Sequence, residues 1–293
     1  MMTVFYIVMG GNEAIRYYIE AYLSIRTFQK QLSPETGRIC VITDHPSFFR
    51  KAGVEVVTIT AEQKAEWMGP HKFFFRTKIK GMEYLHQLYP DDNLLYLDSD
   101  TFLYGDWAKL KERLDEGHGL MHLCEGKPTG ISNTARRLYK KAFGHNYGGI
   151  IIGEQHQMWN AGVVGLPNTK INETVACALM LCDGMLNDGN NEFITEQYSY
   201  SIALSEHTTL MATSDLIGHY WGNAIEWKQK ATDIFMRAYL NDSSLEEELE
   251  ELDINDLCQT PVYVHRSHRG QQFQSLVSRL FPDNNKRLAK DCL

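Results

Sequence analysis

Two carboxylates, one residue apart, follow a short apolar run near the middle of the chain. Residues 94–97 are all apolar and predict a buried strand, and Asp98 and Asp100 follow it on either side of Ser99. In an open α/β sheet, ligands bind beyond the carboxyl ends of the strands. The paired carboxylates therefore predict a site for Mg²⁺ or Mn²⁺ held between protein oxygens and the phosphates of a ligand. The alternative is that Asp98 and Asp100 only begin a loop, since Asp is common where strands end.

The elements that would position this motif alternate between strand and helix. Apolar runs predict strands at residues 3–9, 38–43 and 54–59, and helical spacing predicts a helix from about residue 15 and another at 76–89. This alternation predicts an α/β fold with a mostly parallel central sheet flanked by helices. The second half is less regular; its patterns predict short strands at 148–153, 162–166 and 208–212, and helices at 173–186, 196–204 and 243–252.

The composition of the chain indicates which classes of partner and which cellular location to expect. The 293 residues carry a formal net charge of −8, whereas a nucleic-acid-binding protein would show a basic surface, so nucleic acid is not an expected partner. No apolar run reaches the roughly 18 residues needed to span a bilayer, and the apolar N-terminal run lacks the preceding basic region of a signal peptide. The six cysteines have no metal-binding spacing. Reduced thiols and a cytoplasmic location are therefore expected.

Three further motifs follow the carboxylates along the chain. Asn160, Ala161 and Gly162 precede a predicted strand, Glu196 and Gln197 open a predicted helix, and His219 is followed three residues later by Gly222. With Asp98 and Asp100, and in this order, they resemble the metal-dependent GT-A glycosyltransferases, most closely the family 8 type. The resemblance extends over residues 3–227. It implies the GT-A fold, a Rossmann-like fold of nucleotide-diphospho-sugar transferases.

The resemblance also implies roles for individual residues. Asp98, Asp100 and His219 match the family's metal ligands. Asn160, Glu196 and Gln197 match positions beside the donor sugar, and we assign them as the candidate catalytic residues; Glu196 stands where the family usually has Asp. The positions expected to bind the donor are Gly10, Gly11, Asn12, Asp44, Arg76, Lys78, Ser99, Ala161, Gly162, Gly222 and Lys228.

One part of the chain departs from the family pattern. The late motif usually continues to Lys-Pro-Trp, whereas Ile225, Glu226 and Trp227 occupy the aligned positions here. The missing lysine normally helps to neutralise the leaving diphosphate. Lys228, one residue further on, is a candidate substitute. Because a neutral imidazole suits Mn²⁺ better than Mg²⁺, a site that includes His219 favours Mn²⁺.

The predicted function is metal-dependent transfer of a hexose from a nucleotide sugar to a sugar or glycolipid acceptor. A UDP-linked donor and retention of the anomeric configuration are what the resemblance implies. One alternative is a sugar-nucleotide binding protein without turnover. Another is a haloacid-dehalogenase-type phosphatase, since the sequence from Asp98 to Thr101 also resembles its nucleophile motif. That motif usually lies on the first strand of its domain, whereas three predicted strands precede it here.

The end of the chain is the most basic part of an acidic protein. We divide the chain into a catalytic domain, residues 1–260, and a basic helical extension packed on it, residues 261–293. The acidic helix before this extension has a capping box predicted at Ser243 and Glu246. The basic cluster at residues 265–269 could contact an anionic membrane surface. The alternative is an ordinary packing helix with a solvated face.

Overall fold

The computed structural model describes residues 1–264 and, within them, all side chains except those of Asn12 and Glu13. The strands are β1 (Met2–Val8), β2 (Gly37–Thr43), β3 (Glu55–Thr58), β4 (Asn93–Leu97), β5 (Thr101–Leu103), β6 (Gly119–Met121), β7 (Cys124–Gly126), β8 (Asn146–Tyr147), β9 (Ile150–Ile151), β10 (Met158–Trp159), β11 (Val163–Leu166), β12 (Leu210–Ala212) and β13 (Ile217–His219).

Helices follow most of the strands along the chain. They are α1 (Ile15–Gln29), α2 (Ala61–Met68), α3 (Arg76–Leu88), α4 (Trp107–Asp115), α5 (Pro128–Ile131), α6 (Asn133–Ala142), α7 (Ile171–Asn187), α8 (Thr195–His207), α9 (Ala224–Leu240), α10 (Leu245–Glu251) and α11 (Ile254–Cys258), with 3₁₀ turns at Gly11–Ala14, Pro46–Phe49 and Asn168–Lys170.

A seven-stranded sheet forms the centre of the molecule. Its strand order is β12-β6-β11-β4-β1-β2-β3. The neighbours β4, β1, β2 and β3 are parallel, as are β12 and β6, and within this sheet β11 runs antiparallel to both of its neighbours. The predicted α/β fold with a mostly parallel sheet is therefore confirmed. The strand that ends at Leu97 lies near the middle of this sheet, with β1 on one side and β11 on the other.

Alternating side chains of the central strands bury both faces of the sheet. Phe5 and Tyr96 belong to one apolar cluster, which α3, α7 and α8 cover, whereas Tyr6 and Leu97 belong to another, which α1 and α4 cover. Because successive strand residues point to opposite faces, one apolar run supplies both clusters. Trp227 on α9 packs with Phe102 and Tyr220 in a third, smaller cluster. No helix among residues 1–264 is long and apolar enough to cross a bilayer.

Two local expectations need correction. The acidic helix α10 has its capping box at Ser244 and Glu247, one residue later than predicted. Ser243 and Ser244 are both followed by Glu three residues later, so the sequence pattern fits both. The predicted strand at 148–153 is the second half of the small hairpin β8–β9, because Gly148 and Gly149, with φ of 58° and 100°, turn the chain there. Most of the extension proposed at 261–293, with its basic cluster, lies outside the described residues.

Candidate active site

The three predicted metal ligands come together at the carboxyl end of β4. Asp98 and Asp100 lie in the turn after this strand, and β5 then pairs antiparallel with β13, which sets Thr101 opposite His219. The Tyr220 N–H also donates to the Asp100 carbonyl, at 3.0 Å. One ligand atom from each of Asp98, Asp100 and His219 lies within 4.8 Å of the others. Two carboxylates and an imidazole in this arrangement are a donor set that fits Mn²⁺ or a similar divalent ion.

The hydrogen bonds of Asn160 determine which nitrogen of His219 can reach a metal. The Gly162 N–H donates to Asn160 Oδ1 at 3.0 Å, so this atom is the amide oxygen. His219 Nδ1 lies 3.0 Å from the same oxygen and must therefore donate to it. In a neutral ring the proton on Nδ1 leaves the lone pair on Nε2, which lies 3.2 Å from Asp100 Oδ1. Asn160 thus orients the imidazole with its coordinating nitrogen toward the carboxylates.

Opposite charges shift the ionisation of Asp100 and His219 in opposite directions. Burial alone would raise the pKa of Asp100, but the charge and hydrogen bond of His219 outweigh burial and lower it. Burial would likewise lower the pKa of His219, whereas Asp100 raises it above the ordinary value. The imidazolium and the carboxylate are therefore held as an ion pair until a cation takes the place of the Nε2 proton.

A half-buried lysine pairs with the other carboxylate. Asp98 Oδ1 accepts a hydrogen bond from the Tyr96 hydroxyl at 2.5 Å, and Lys78 Nζ lies 2.8 Å from the same oxygen. Burial would lower the pKa of Lys78, but the charges of Asp98 and Glu196 outweigh burial and raise it, so the ammonium stays charged. Since these contacts of Asp98 with other side chains of residues 1–264 fall on Oδ1, Oδ2 is the oxygen that can face a metal.

Glu196 carries a carboxylate oxygen that no other described group satisfies. The residue lies in the first turn of α8 and is 1% exposed. Its Oε2 lies 3.9 Å from Lys78 Nζ, whereas Oε1 has no hydrogen-bond partner within the part of the chain that is described. Burial raises the pKa of Glu196 to about 7, and the Lys78 charge only partly opposes this. A buried oxygen without a partner is costly, and a ligand hydroxyl would satisfy it.

Gln197 joins the site from the next position of α8. Its Oε1 lies 3.4 Å from the Ala161 nitrogen, and its Nε2 donates to Glu125 Oε2 at 3.0 Å. Glu125, on β7, was not among the predicted site residues. Strands β7 and β10, which pair at this point, have three and two residues, too few for a periodic pattern to indicate them. The nearest sequence signal is only that Glu125 is the first residue of a loop-rich segment, residues 125–149.

These residues line one pocket of about 410 Å³. Such a volume is within the range of small-molecule sites. Its floor carries the metal-ligand group, and exposed aromatic rings of Phe193 and Trp221, which are 60% and 53% exposed, border its mouth. Among the predicted site residues, those that line the pocket are Lys78, Asp98, Asp100, Asn160, Glu196, Gln197 and His219.

The glycine turn predicted to bind the donor is held by Asp44. The Gly10 nitrogen lies 3.1 and 3.2 Å from the two carboxylate oxygens of Asp44, and Lys64 Nζ lies 2.9 Å from Oδ2. Gly10 and Gly11 have φ of 121° and 58°, which favour glycine, and a Cβ on Gly11 would lie 2.7 Å from the His45 ring. Asp44 therefore holds this turn in place by hydrogen bonds. The turn follows β1, which pairs with β4, the strand that Asp98 follows.

The remaining predicted donor-binding residues have different surroundings. Arg76 is not among the residues that line the pocket, and its guanidinium binds Asp183 on α7 and the Trp67 carbonyl. Gly222 packs against Tyr263, where a Cβ would come within 2.2 Å of the ring. Lys228 is exposed on α9. Ser99 is half-buried in the turn between the two aspartates.

Lys228 nevertheless lies close enough to Glu20 for its charge to act on that carboxyl group. Glu20, on α1, is buried, and burial together with the charge of Asp100 raises its pKa to about 7. The charges of Arg16 and Lys228 partly oppose this rise. The charges of Arg16 and Lys228 therefore both influence the Glu20 carboxyl group, and so does the charge of Asp100.

No family model matches the chain, and no curated protein matches it. Comparison with solved structures finds similarity to mouse xyloside xylosyltransferase 1 in its apo form, with 9% identity and a TM-score of 0.46 over 72% of this chain and 84% of the other. It also finds similarity to the galactosyltransferase LgtC in complex with donor and acceptor sugar analogues, with 11% identity and a TM-score of 0.47 over 72% of this chain and 74% of the other. Both proteins are glycosyltransferases by name.

Proposed function

We propose that this protein is a metal-dependent glycosyltransferase that moves a hexose from a nucleotide-sugar donor to a sugar or glycolipid acceptor. The observation that carries the proposal is the grouping of Asp98, Asp100 and His219 on the floor of a pocket whose wall contains the unsatisfied Glu196 oxygen. A divalent ion there would meet a phosphate-bearing ligand, and a carboxylate beside it would accept hydrogen bonds from sugar hydroxyls.

The chain's own residues would divide the work between the phosphates and the sugar. Departure of a nucleoside diphosphate leaves negative charge on the oxygen that joined it to the sugar. Asp98, Asp100 and His219 would hold a divalent ion, which would supply Lewis-acid stabilisation of that charge. Glu196 Oε1 would accept a sugar hydroxyl, and the Gln197 amide beside it would help to orient the ring. Lys78 Nζ lies 2.8 Å from Asp98 Oδ1 and 3.9 Å from Glu196 Oε2, so its positive charge offsets negative charge at both side chains.

Lys228 and Arg16 are the residues that we propose to bind the phosphates of the donor. The family's lysine for the leaving diphosphate is missing, and these two side chains are cations whose charges reach the surroundings of Asp100. Both can move toward an anion because both are exposed. The same proposal includes a UDP-linked donor, transfer with retention of the anomeric configuration and Mn²⁺ as the ion. It also includes a cytoplasmic location and contact of residues 265–269 with an anionic membrane.

The test is calorimetric titration of the full chain with UDP, GDP and UMP, each with and without Mn²⁺. We expect binding of UDP that requires Mn²⁺ and is lost in Asp98→Asn and in Asp100→Asn. Asp91→Asn removes an exposed carboxylate at the other end of the same strand and should bind as the wild type does. Absence of nucleotide binding under every condition would overturn the proposal. Binding without turnover of any UDP-hexose would favour the non-catalytic alternative.

A further inference from the structure

Glu125 lies on the wall of the pocket where two predicted site residues meet. Strand β7, which pairs with β10, carries it into the pocket, where it is half-buried from solvent. Asn160 Nδ2 donates to Glu125 Oε1 at 3.3 Å, and Gln197 Nε2 donates to Oε2 at 3.0 Å. Each carboxylate oxygen is thus used by a different amide. A carboxylate is required for this arrangement, since only an acceptor at both oxygens can bind two NH₂ groups.

The far ends of the two amides are bound as well. Asn160 Oδ1 accepts the Gly162 N–H and the Nδ1 proton of His219. Gln197 Oε1 lies 3.4 Å from the Ala161 nitrogen. An amide group can turn end for end, and neighbours on both sides hold the orientation of Asn160: the Gly162 N–H faces its oxygen, and an acceptor faces its NH₂. Glu125 supplies that acceptor on the NH₂ side of both Asn160 and Gln197.

We propose that Glu125 is a positioning residue that fixes the orientation of Asn160 and thereby the nitrogen that His219 presents to the metal. This inference depends on the proposed metal site and adds a residue that binds neither metal nor sugar in it. If Asn160 turned round, its NH₂ would face the Gly162 N–H, losing that hydrogen bond, and would also face His219 Nδ1, which would then have to accept. The ring proton would move to Nε2 and occupy the position from which the imidazole coordinates.

The isosteric variant Glu125→Gln tests this role. A glutamine keeps the shape of the side chain, but its one oxygen can accept from Asn160 or from Gln197 and not from both. The other amide then faces an NH₂ group. We expect Mn²⁺ affinity, measured without nucleotide, to fall by about 10-fold or more, as for removal of other groups that orient a metal-bound histidine.

The double variant Glu125→Gln with Asn160→Asp restores every hydrogen bond. In the bond between positions 125 and 160, the donor and the acceptor change places. The glutamine NH₂ donates to the carboxylate introduced at position 160, and the glutamine oxygen accepts from Gln197. The introduced carboxylate still accepts from Gly162 and His219. We expect the double variant to recover most of the lost Mn²⁺ affinity. The single variant Asn160→Asp, which sets two carboxylates face to face, should bind Mn²⁺ weakly and completes the cycle.

A second readout is independent of the metal. Long-range ¹H–¹⁵N spectra of the metal-free protein, at a pH where the imidazole is neutral, report the tautomer of His219, assigned with His219→Gln. We expect the Nδ1–H form in the wild type and in the double variant, and a mixture in Glu125→Gln. An unchanged tautomer and an Mn²⁺ affinity within about 2-fold of the wild type in Glu125→Gln would overturn the inference. Wild-type protein that binds neither Mn²⁺ nor UDP would instead overturn the proposed function, and the tautomer would still decide the role of Glu125.

Discussion

Replacement of Gly162 by alanine should damage the metal site through a single added carbon. A Cβ on Gly162 would lie 2.2 Å from Cε1 and 2.3 Å from Nδ1 of His219. Ordinary contact begins at 3.4 Å, so the ring must retreat by the difference between 3.4 and 2.2 Å, about 1.2 Å. Distances to a metal vary by only about 0.2 Å in working sites. The displaced ring would therefore leave the coordination position.

The ring has little room to adapt. His219 is 6% exposed, and its ring packs edge to face with His122 at 5.2 Å between centroids. A shift of His219 would also stretch its bond to Asn160, which the ring uses to keep its proton on Nδ1. We expect Mn²⁺ affinity to fall by at least about 100-fold, the upper end of the loss seen when a histidine ligand loses its orientation.

Calorimetric titration with Mn²⁺ and UDP measures this effect, and Gly165→Ala is the matched control. Gly165 lies on β11, which begins directly after Gly162, and its Cβ would meet Leu120 at 2.9 Å and Leu95 at 3.1 Å, so that variant strains the core without touching His219. Both variants should lose some stability toward urea, whereas only Gly162→Ala should lose the metal. Unchanged Mn²⁺ affinity in Gly162→Ala, or an equal loss in Gly165→Ala, would refute the reasoning.

Two further predictions concern stability. Glu248→Ala should lower the free energy of unfolding by roughly 3 kcal/mol, because the buried Arg26 guanidinium loses the carboxylate 2.6 Å away; urea denaturation measures the loss, and the exposed Glu251→Ala should cost much less. Asp44 gives a pH dependence: burial raises its pKa, but hydrogen bonds from Lys64, His45 and the Gly10 N–H lower it to about 2. Because the pKa of Asp44 is lower in the folded state than its ordinary value of 3.8, the ionised carboxylate stabilises the fold at pH values above 3.8. This contribution is lost as the pH falls toward 2, so the difference in unfolding free energy between the wild type and Asp44→Asn should shrink over that range. A difference that stays constant from about pH 4 to about pH 2, the range between the two pKa values, would contradict this assignment.

The sequence predicts the parts of the site that follow strands. The apolar run 94–97 predicts a buried strand, and Asp98 follows its carboxyl end. In α/β sheets ligands bind at this end of the strands, so the position of Asp98 could be predicted. The meeting of Asp100 with His219 could not be predicted from local patterns, because it depends on the pairing of β5 with β13, two strands of three residues each. The family resemblance supplied that expectation.

Distant partners and short strands set the limit of the sequence-based predictions. Arg76 does begin a helix as predicted, yet its guanidinium turns to Asp183 of α7, and no periodicity along α3 could reveal a partner over a hundred residues away. Glu125 was missed because β7 exists only through its pairing with β10. In both cases tertiary contacts determine the role of the side chain, whereas local sequence determines only its secondary structure.

The short pairing of β5 with β13 has a consequence for folding. Asp100 and His219 bracket a stretch of more than one hundred residues that leaves the site, forms β6 to β12 with their helices, and returns. An ion bound by both ends would act as a cross-link that closes this long loop. Loop closure costs more conformational entropy as the loop lengthens, although the cost grows slowly. The metal would thus stabilise the native topology as well as bind a substrate, and its affinity would be coupled to the folding of the second half of the chain.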